Sequence, residues 1–139
     1  MAEGIVLDAS ALLAVILQEE KWENLEKTVS ENETFAPELI RIETANGLLS
    51  ARKSIRPVLQ KRPFAELLRL ITEFPVNLVP IGNWWPQAES LIKKHLTLTC
   101  YDAAYLATAQ HLKLAMLTLD KDLKKIAATE NIPVIAVQE

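Results

Sequence analysis

The stretch Ile5-Val6-Leu7-Asp8-Ala9-Ser10-Ala11-Leu12-Leu13 decides the fold of this chain. Three aliphatic residues lead directly into an acid, and small residues then open a second apolar run that continues to Leu17. A strand without polar alternation is typically covered on both faces, as the strands of parallel sheets are. The stretch therefore predicts a buried strand that ends at Asp8 and turns at once into a helix.

Asp8 is open to two interpretations. In open α/β sheets, ligands bind beyond the carboxyl ends of the strands, so an acid at this point is a candidate site residue. The other interpretation is a helix cap, with either Asp8 or Ser10 capping the helix that follows. The decision depends on which other acids share the same end of the sheet.

The composition is that of one globular domain whose charge is balanced overall. The 139 residues suit a single domain over 1–139, and a net charge of −3 argues against a protein that coats nucleic acid by bulk charge. The three glycines are never clustered, which excludes a glycine-rich phosphate loop. The single cysteine, Cys100, excludes an intramolecular disulfide and allows a reducing, cytoplasmic location. No apolar run is long enough to cross a bilayer, so no membrane association is expected.

The rest of the chain alternates between strand-like and helical segments. Further strands are predicted at 34–36, 76–80, 115–119 and 133–137, with helical segments between them. Gly82-Asn83 is predicted as a turn before a helix over 84–96, with Pro86 in the first turn of that helix. The alternation predicts one α/β domain with a central, mostly parallel, five-stranded sheet flanked by helices.

Four acids occupy positions that can share one edge of such a sheet. Asp8 and Asp120 follow apolar strands directly, whereas Glu43 and Asp102 lie early on helices. Taken singly, Glu43 also fits a solvated helix acid, and Asp102 fits a capping box with Thr99. Asp8 and Asp120 converge if the first and fourth strands are neighbours. Carboxylates without a paired histidine, cysteine or lysine favour a hard divalent cation, which can activate water and neutralise charge on a phosphodiester.

Three segments and one helix acid together resemble a known family. The segments are Val6-Leu7-Asp8-Ala9-Ser10-Ala11-Leu12, Tyr101-Asp102-Ala103-Ala104-Tyr105-Leu106-Ala107-Thr108-Ala109 and Leu117-Thr118-Leu119-Asp120, with Glu43 in a helix. In this order and at these intervals they are similar to a PIN domain, and most similar to the small VapC-type ribonuclease toxins. The resemblance spans nearly the whole chain.

The resemblance implies a sheet of order 3-2-1-4-5 and a metal-dependent endoribonuclease that hydrolyses RNA. Hydroxyls that match Ser10 and Thr118 support such sites. Asp122 is an extra acid beside Asp120, and the family spacing favours Asp120 as the one facing the metal. Toxins of this type form homodimers and are inhibited by a small antitoxin. The implied catalytic acids are Asp8, Glu43, Asp102 and Asp120, of which Asp8, Asp102 and Asp120 are expected to bind Mg²⁺ or Mn²⁺.

The stretch from Thr44 to Ala65 contains no acid but holds several basic residues, including Arg52, Arg56 and Arg62. It is either a local guide for RNA phosphates or a solvated face.

Other aromatic and titratable residues have ordinary structural interpretations. Trp84 and Trp85 are expected in the core or in an interface. His95 and His111 have no visible partner in the sequence, and both are expected at the surface or in packing.

Two other classes of function are also open. One is a non-catalytic interaction module that keeps the fold. The other is a phospho-acceptor, receiver-like domain, which would need an acidic pair near the first strand. Residues 4–10 contain one acid only, so this class is the less favoured.

Overall fold

The sheet contains four parallel strands in the order β3-β2-β1-β4. They are seen in a computed structural model that describes residues 4–137, so residues 1–3 and 138–139 of the predicted domain lie outside the described residues. Because β1 and β4 are neighbours, the strand order reverses between them, as the four-acid hypothesis required. The predicted α/β fold is confirmed. The strands are β1 (Gly4–Leu7), β2 (Glu33–Pro37), β3 (Asn77–Val79) and β4 (Ala115–Leu117).

The predicted fifth strand is reduced to one parallel bridge between Met116 and Val134. The Met116 amide donates to the Pro133 carbonyl at 2.8 Å, and the Ile135 amide donates to the Met116 carbonyl at 2.8 Å. Pro133 has no amide proton, so the ladder cannot continue past it toward the amino terminus. The segment therefore takes the expected place beside β4 without forming a strand.

Eight helices are assigned within residues 4–137. Helices α1, α3 and α5 pack together, while α7 packs against β1, β2 and α6. None of the described helices is long and apolar enough to cross a membrane. The helices are α1 (Ala9–Ile16), α2 (Trp22–Ser30), α3 (Ile40–Ala51), α4 (Pro57–Lys61), α5 (Phe64–Glu73), α6 (Ile81–Lys94), α7 (Cys100–Leu112) and α8 (Lys121–Thr129).

The turn predicted at Gly82-Asn83 is wrong, because α6 already begins at Ile81. The Ile81 amide donates to Glu38 Oε1 at 3.1 Å, so a side chain from a distant segment satisfies one of the free amides at the start of the helix. Pro86 therefore lies inside the helix rather than in its first turn. Its missing hydrogen bond falls on an exposed face, near Gly82, where water can replace it.

The two adjacent tryptophans of α6 differ in burial. Trp84 is buried and donates its indole N–H to the Val79 carbonyl at 3.0 Å, whereas Trp85 is 45% exposed.

His95, for which the sequence shows no partner, has one in the structure. His95 Nε2 lies 2.8 Å from a Glu130 carboxylate oxygen, and Lys94 Nζ contacts the same carboxylate at 3.2 Å.

The glycine in α3 sets the distance between α3 and α1. A Cβ atom at Gly47 would lie only 2.7 Å from Leu13 Cδ2, so a larger residue would force the side chain of Leu13 to move. Glu43 lies one helical turn before Gly47 and therefore on the same side of α3. The close approach of the two helices thus keeps Glu43 near α1, the helix that Asp8 caps.

Candidate active site

Asp8 directly follows β1 and caps α1, so the cap interpretation of this residue is confirmed. The side chain is buried, and the residue is 4% exposed. Its Oδ1 accepts hydrogen bonds from the Ala11 amide at 3.0 Å and from Ser10 Oγ at 2.7 Å. Its Oδ2 accepts a short hydrogen bond from Thr118 Oγ1. Three donors therefore hold the carboxylate in one orientation.

The hydroxyls of Ser10 and Thr118 connect Asp8 to the loop that carries Asp120. Ser10 Oγ accepts from the Leu119 amide at 3.1 Å, and Thr118 Oγ1 accepts from the Asp120 amide at 3.1 Å. The Asp8 amide itself donates to the Leu117 carbonyl at 3.2 Å. The two hydroxyls predicted to support the site thus bind both the carboxylate and the neighbouring loop.

The prediction that Asp120 follows β4 directly is wrong, because the strand already ends at Leu117. The Thr118 and Leu119 contacts with Asp8 and Ser10 turn the chain away from the ladder. Asp120 then caps α8 by accepting from the Asp122 and Leu123 amides at 2.9 and 3.1 Å.

Asp102 is the common neighbour of the other three acids. It lies in the first turn of α7, where Thr99 Oγ1 accepts from its amide at 3.0 Å, which is the Thr99 half of the predicted capping box. Burial raises the pKa of Asp102, and the charge of Asp120 raises it further. Asp120, rather than the exposed Asp122, is therefore the acid that acts on Asp102.

The remaining two acids also have perturbed ionisation. Burial raises the pKa of Asp8 to about 6, despite its three hydrogen bonds, and the charge of Asp102 adds to the rise. Burial likewise raises the pKa of the half-buried Glu43. The neighbouring Tyr105 hydroxyl lowers this pKa in part, and the charge of Asp102 raises it further. The four carboxylates thus lie at one end of the sheet, with Asp102 between the others.

Tyr105 is a neighbour of this site that the sequence reasoning did not single out. Its side chain is buried, and no group in residues 4–137 bonds its hydroxyl with ordinary hydrogen-bond geometry. Burial raises its pKa, and the charges of Glu43, Asp8 and Asp102 raise it further. The available signal was its position three residues after Asp102, which places both residues on the same side of α7.

The donor atoms fit a hard divalent cation in type. No three histidine, cysteine, aspartate or glutamate side chains within the described part of the chain already form a compact metal-binding group. However, the nearby atoms are carboxylate and hydroxyl oxygens, which Mg²⁺ and Mn²⁺ favour. The charge of Asp102 raises the pKa of Asp8, and the charge of Asp120 raises the pKa of Asp102; a bound cation would relieve this repulsion.

Comparison with known proteins gives the family. A PIN domain profile matches residues 5–129. The chain belongs to the PIN domain family.

Curated relatives of this PIN domain include a VapC ribonuclease, Mb0985, from Mycobacterium bovis and ribonuclease VapC9 from Mycobacterium tuberculosis. Each is 31% identical over 119 residues, which cover 84% of this chain and 85% of the relative.

Solved structures share the fold of this PIN domain at lower identity. PAE2754 from Pyrobaculum aerophilum has a TM-score of 0.59 and 24% identity, with 90% of this chain and 86% of that chain covered. A toxin–antitoxin complex from Klebsiella pneumoniae has a TM-score of 0.59 and 19% identity, with coverage of 97% and 98%. VapBC2 from Rickettsia felis, bound to a promoter DNA fragment, has a TM-score of 0.60 and 14% identity, with coverage of 95% and 97%.

Three arginines of the basic stretch lie away from the four acids of this PIN domain. Arg56 Nε is 3.1 Å from Glu19 Oε1, and Glu19 lies beyond the carboxyl end of α1. Asp8 caps the amino end of the same helix, so about 12 Å of helix separates Arg56 from the acids. Arg62 pairs with Glu66 at 3.7 Å, and Arg52 is exposed at the end of α3.

An apolar groove between α3 and α5 opens beside Glu43, with a volume of about 610 Å³. Several of its apolar side chains are exposed, including Ile42 at 70% and Leu49 at 45%. The groove of this PIN domain is lined mainly by Ile42, Leu49, Phe64, Leu68 and Tyr101.

Proposed function

We propose that this PIN domain is a divalent-cation-dependent endoribonuclease and the toxin of a toxin–antitoxin pair. The observation that carries the proposal is the group of four carboxylates around Asp102, at the reversal of strand order between β1 and β4. The ribonuclease relatives support RNA as the substrate. A toxin of this kind acts on cellular RNA, so we place it in the cytoplasm.

In this proposal, Asp8, Asp102 and Asp120 hold Mg²⁺ or Mn²⁺, with Glu43 beside them. The bound cation supplies an activated water and neutralises charge that develops on the phosphodiester. Ser10 and Thr118 contribute by keeping Asp8 in one orientation, so that little ordering is needed when the cation and RNA bind. The raised pKa of Glu43 brings its carboxylate closer to the range in which it can accept a proton from the attacking water.

The alternative classes are less well supported by the same observations. Receiver-like domains of the flavodoxin type have the strand order 2-1-3-4-5, whereas this sheet has the order β3-β2-β1-β4. A non-catalytic module would have no need to bring together carboxylates whose charges repel one another. A wild-type protein that cleaves no RNA in the presence of Mn²⁺ would favour the non-catalytic class.

We predict that Asp8→Asn and Asp102→Asn each reduce RNA cleavage at least about 100-fold, because each variant removes a carboxylate from the proposed cation site. Cleavage of an RNA panel is measured with Mn²⁺ and with a chelator. Asp122→Asn is the matched control, since this exposed acid has the same chemistry and should retain wild-type activity.

Equal cleavage by the wild type, Asp8→Asn and Asp102→Asn would identify a contaminating nuclease and contradict the proposal. Loss of cleavage in Asp122→Asn, with wild-type activity in an Asp120→Asn variant, would move the site from Asp120 to Asp122.

We also propose a small antitoxin protein as the partner of this domain. The solved toxin–antitoxin complexes share its fold, and the groove beside Glu43 exposes enough aliphatic surface to receive an apolar segment of another protein. A partner bound there would lie next to the proposed catalytic acids and would block access of RNA to them.

A further inference from the structure

The hydroxyl of Tyr105 is a buried polar group that the fold does not explain. The residue is 1% exposed, and its hydroxyl lacks a hydrogen-bond partner of ordinary geometry among residues 4–137. The other buried hydroxyl on α7 is different, because Thr108 Oγ1 donates to the Ala104 carbonyl at 2.7 Å. Phenylalanine would fill the space of Tyr105 without burying an unsatisfied hydroxyl.

The surroundings of Tyr105 indicate what its hydroxyl serves. The charges of Glu43, Asp8 and Asp102 all act on it, and Glu43 acts most strongly. These acids come from α3, the end of β1 and the start of α7, so the hydroxyl faces the place where the three elements meet. A tyrosine that keeps its proton can only donate to a carboxylate, and burial together with the acidic neighbours keeps that proton in place.

We infer that Tyr105 is a positioning residue of the proposed ribonuclease: when the cation is bound, its hydroxyl donates to the Glu43 carboxylate and keeps that negative charge beside the three acids that hold the cation. The inference rests on the proposed function and adds a residue to it. Tyr105 acts through Glu43, so its removal should weaken cation binding and catalysis while leaving RNA binding intact. Groups that orient the acids around a metal typically contribute 10–100-fold to affinity or activity.

The test measures Mn²⁺ affinity by calorimetry, together with RNA cleavage, for Tyr105→Phe. We expect Mn²⁺ affinity and kcat to fall by about 10–100-fold, with an unchanged KM for RNA. The melting temperature without added cation should equal or exceed that of the wild type. Thr108→Val is the matched control, since it removes a buried hydroxyl from the same helix and should leave Mn²⁺ affinity unchanged.

A double-mutant cycle tests whether Tyr105 acts through Glu43. In a Glu43→Gln background, Tyr105→Phe should cause little further loss of Mn²⁺ affinity or kcat. Full additivity of the two losses would contradict the inference.

Two further results separate this inference from the proposed function. Wild-type Mn²⁺ affinity and kcat in Tyr105→Phe, with both lost in Asp8→Asn, would overturn the role of Tyr105 and leave the ribonuclease proposal standing. A wild-type protein that binds no Mn²⁺ would overturn the proposed function and the role of Tyr105 with it.

Discussion

At the scale of the residue, Asp8 combines a structural role with an energetic cost. It caps α1 and connects to the loop after β4, but its pKa is raised from 3.8 to about 6 because the carboxylate is buried. Each pKa unit corresponds to about 1.4 kcal/mol, so keeping Asp8 ionised in the folded protein costs on the order of 3 kcal/mol at neutral pH. Such a cost is expected at a site built to bind a cation.

We predict that the protein without added cation becomes more stable as the pH falls from about 7 to 5. The pKa of Asp8 is higher in the folded than in the unfolded chain, so the folded state takes up the proton first and stability is lost as pH rises through about 6. Glu43 and Asp102 act with the same sign. Glu130 acts with the opposite sign at lower pH, which is why melting curves in chelator should stay above pH 5.

Asp8→Asn should melt at or above the wild-type temperature at pH 7.5 and lose most of this pH dependence. It should also lose most of the stabilisation that Mn²⁺ gives the wild type by binding the folded form. A variant that is less stable at pH 7.5 and keeps the wild-type pH dependence would show that Asp8 is only a cap, whose loss costs about 0.5–2 kcal/mol.

At the scale of the element, the segment from the end of α3 to Arg62, which follows α4, contains five basic residues and no acid. Arg56 and Arg62 are each paired with a glutamate, whereas Arg52 is exposed at the end of α3. Exposed ion pairs are worth little and are easily exchanged, so these arginines can still contact RNA phosphates beyond the cleavage site. The segment would then guide the strand rather than act in catalysis.

We predict that replacing Arg52, Arg56 and Arg62 together by glutamine weakens RNA binding and flattens its dependence on salt, because fewer counterions are released on binding. The measurement is the affinity for a single-stranded RNA across a range of salt concentrations. Replacing Lys27, Lys93 and Lys113, which lie on other elements, makes the same change in net charge and serves as the control. Equal salt dependence in the two triple variants would show that the arginine segment is only a solvated face.

At the scale of the whole molecule, α6 presents an apolar patch that no described element covers. Ile81 and Trp85 lie four residues apart on this helix and are 52% and 45% exposed. Residues four apart lie side by side on a helix face, and tryptophan is enriched among the residues that contribute most to binding at protein interfaces. We propose that this patch contributes to the homodimer that the family resemblance implies.

Sedimentation at micromolar concentration should show a dimer for the wild type and a monomer for the Ile81→Glu and Trp85→Glu double variant. The double variant places charge on both sides of a symmetric contact, where it cannot be solvated. Ile55→Glu, at another exposed isoleucine, should leave the dimer unchanged. A monomeric wild type would contradict the dimer, and a dimeric double variant would place the interface elsewhere.

The sequence by itself determined the elements whose causes are local. Three short-range patterns predicted such elements: the apolar run before Asp8, the Thr99 cap and the alternation of strands and helices. The structure contains α1 after the apolar run, α7 after Thr99 and a parallel α/β sheet. The order and spacing of the acids along the chain also come from the sequence alone, because they do not depend on tertiary contacts.

Only the tertiary structure decided which of these residues meet. The pairing of β1 with β4, the start of α6 against Glu38 and the His95–Glu130 contact join residues far apart in the sequence. The burial of Tyr105 among three carboxylates and the pairing of Arg56 with Glu19 arise in the same way. Periodicity and capping report only on neighbours within a few turns, whereas these contacts depend on how whole elements pack.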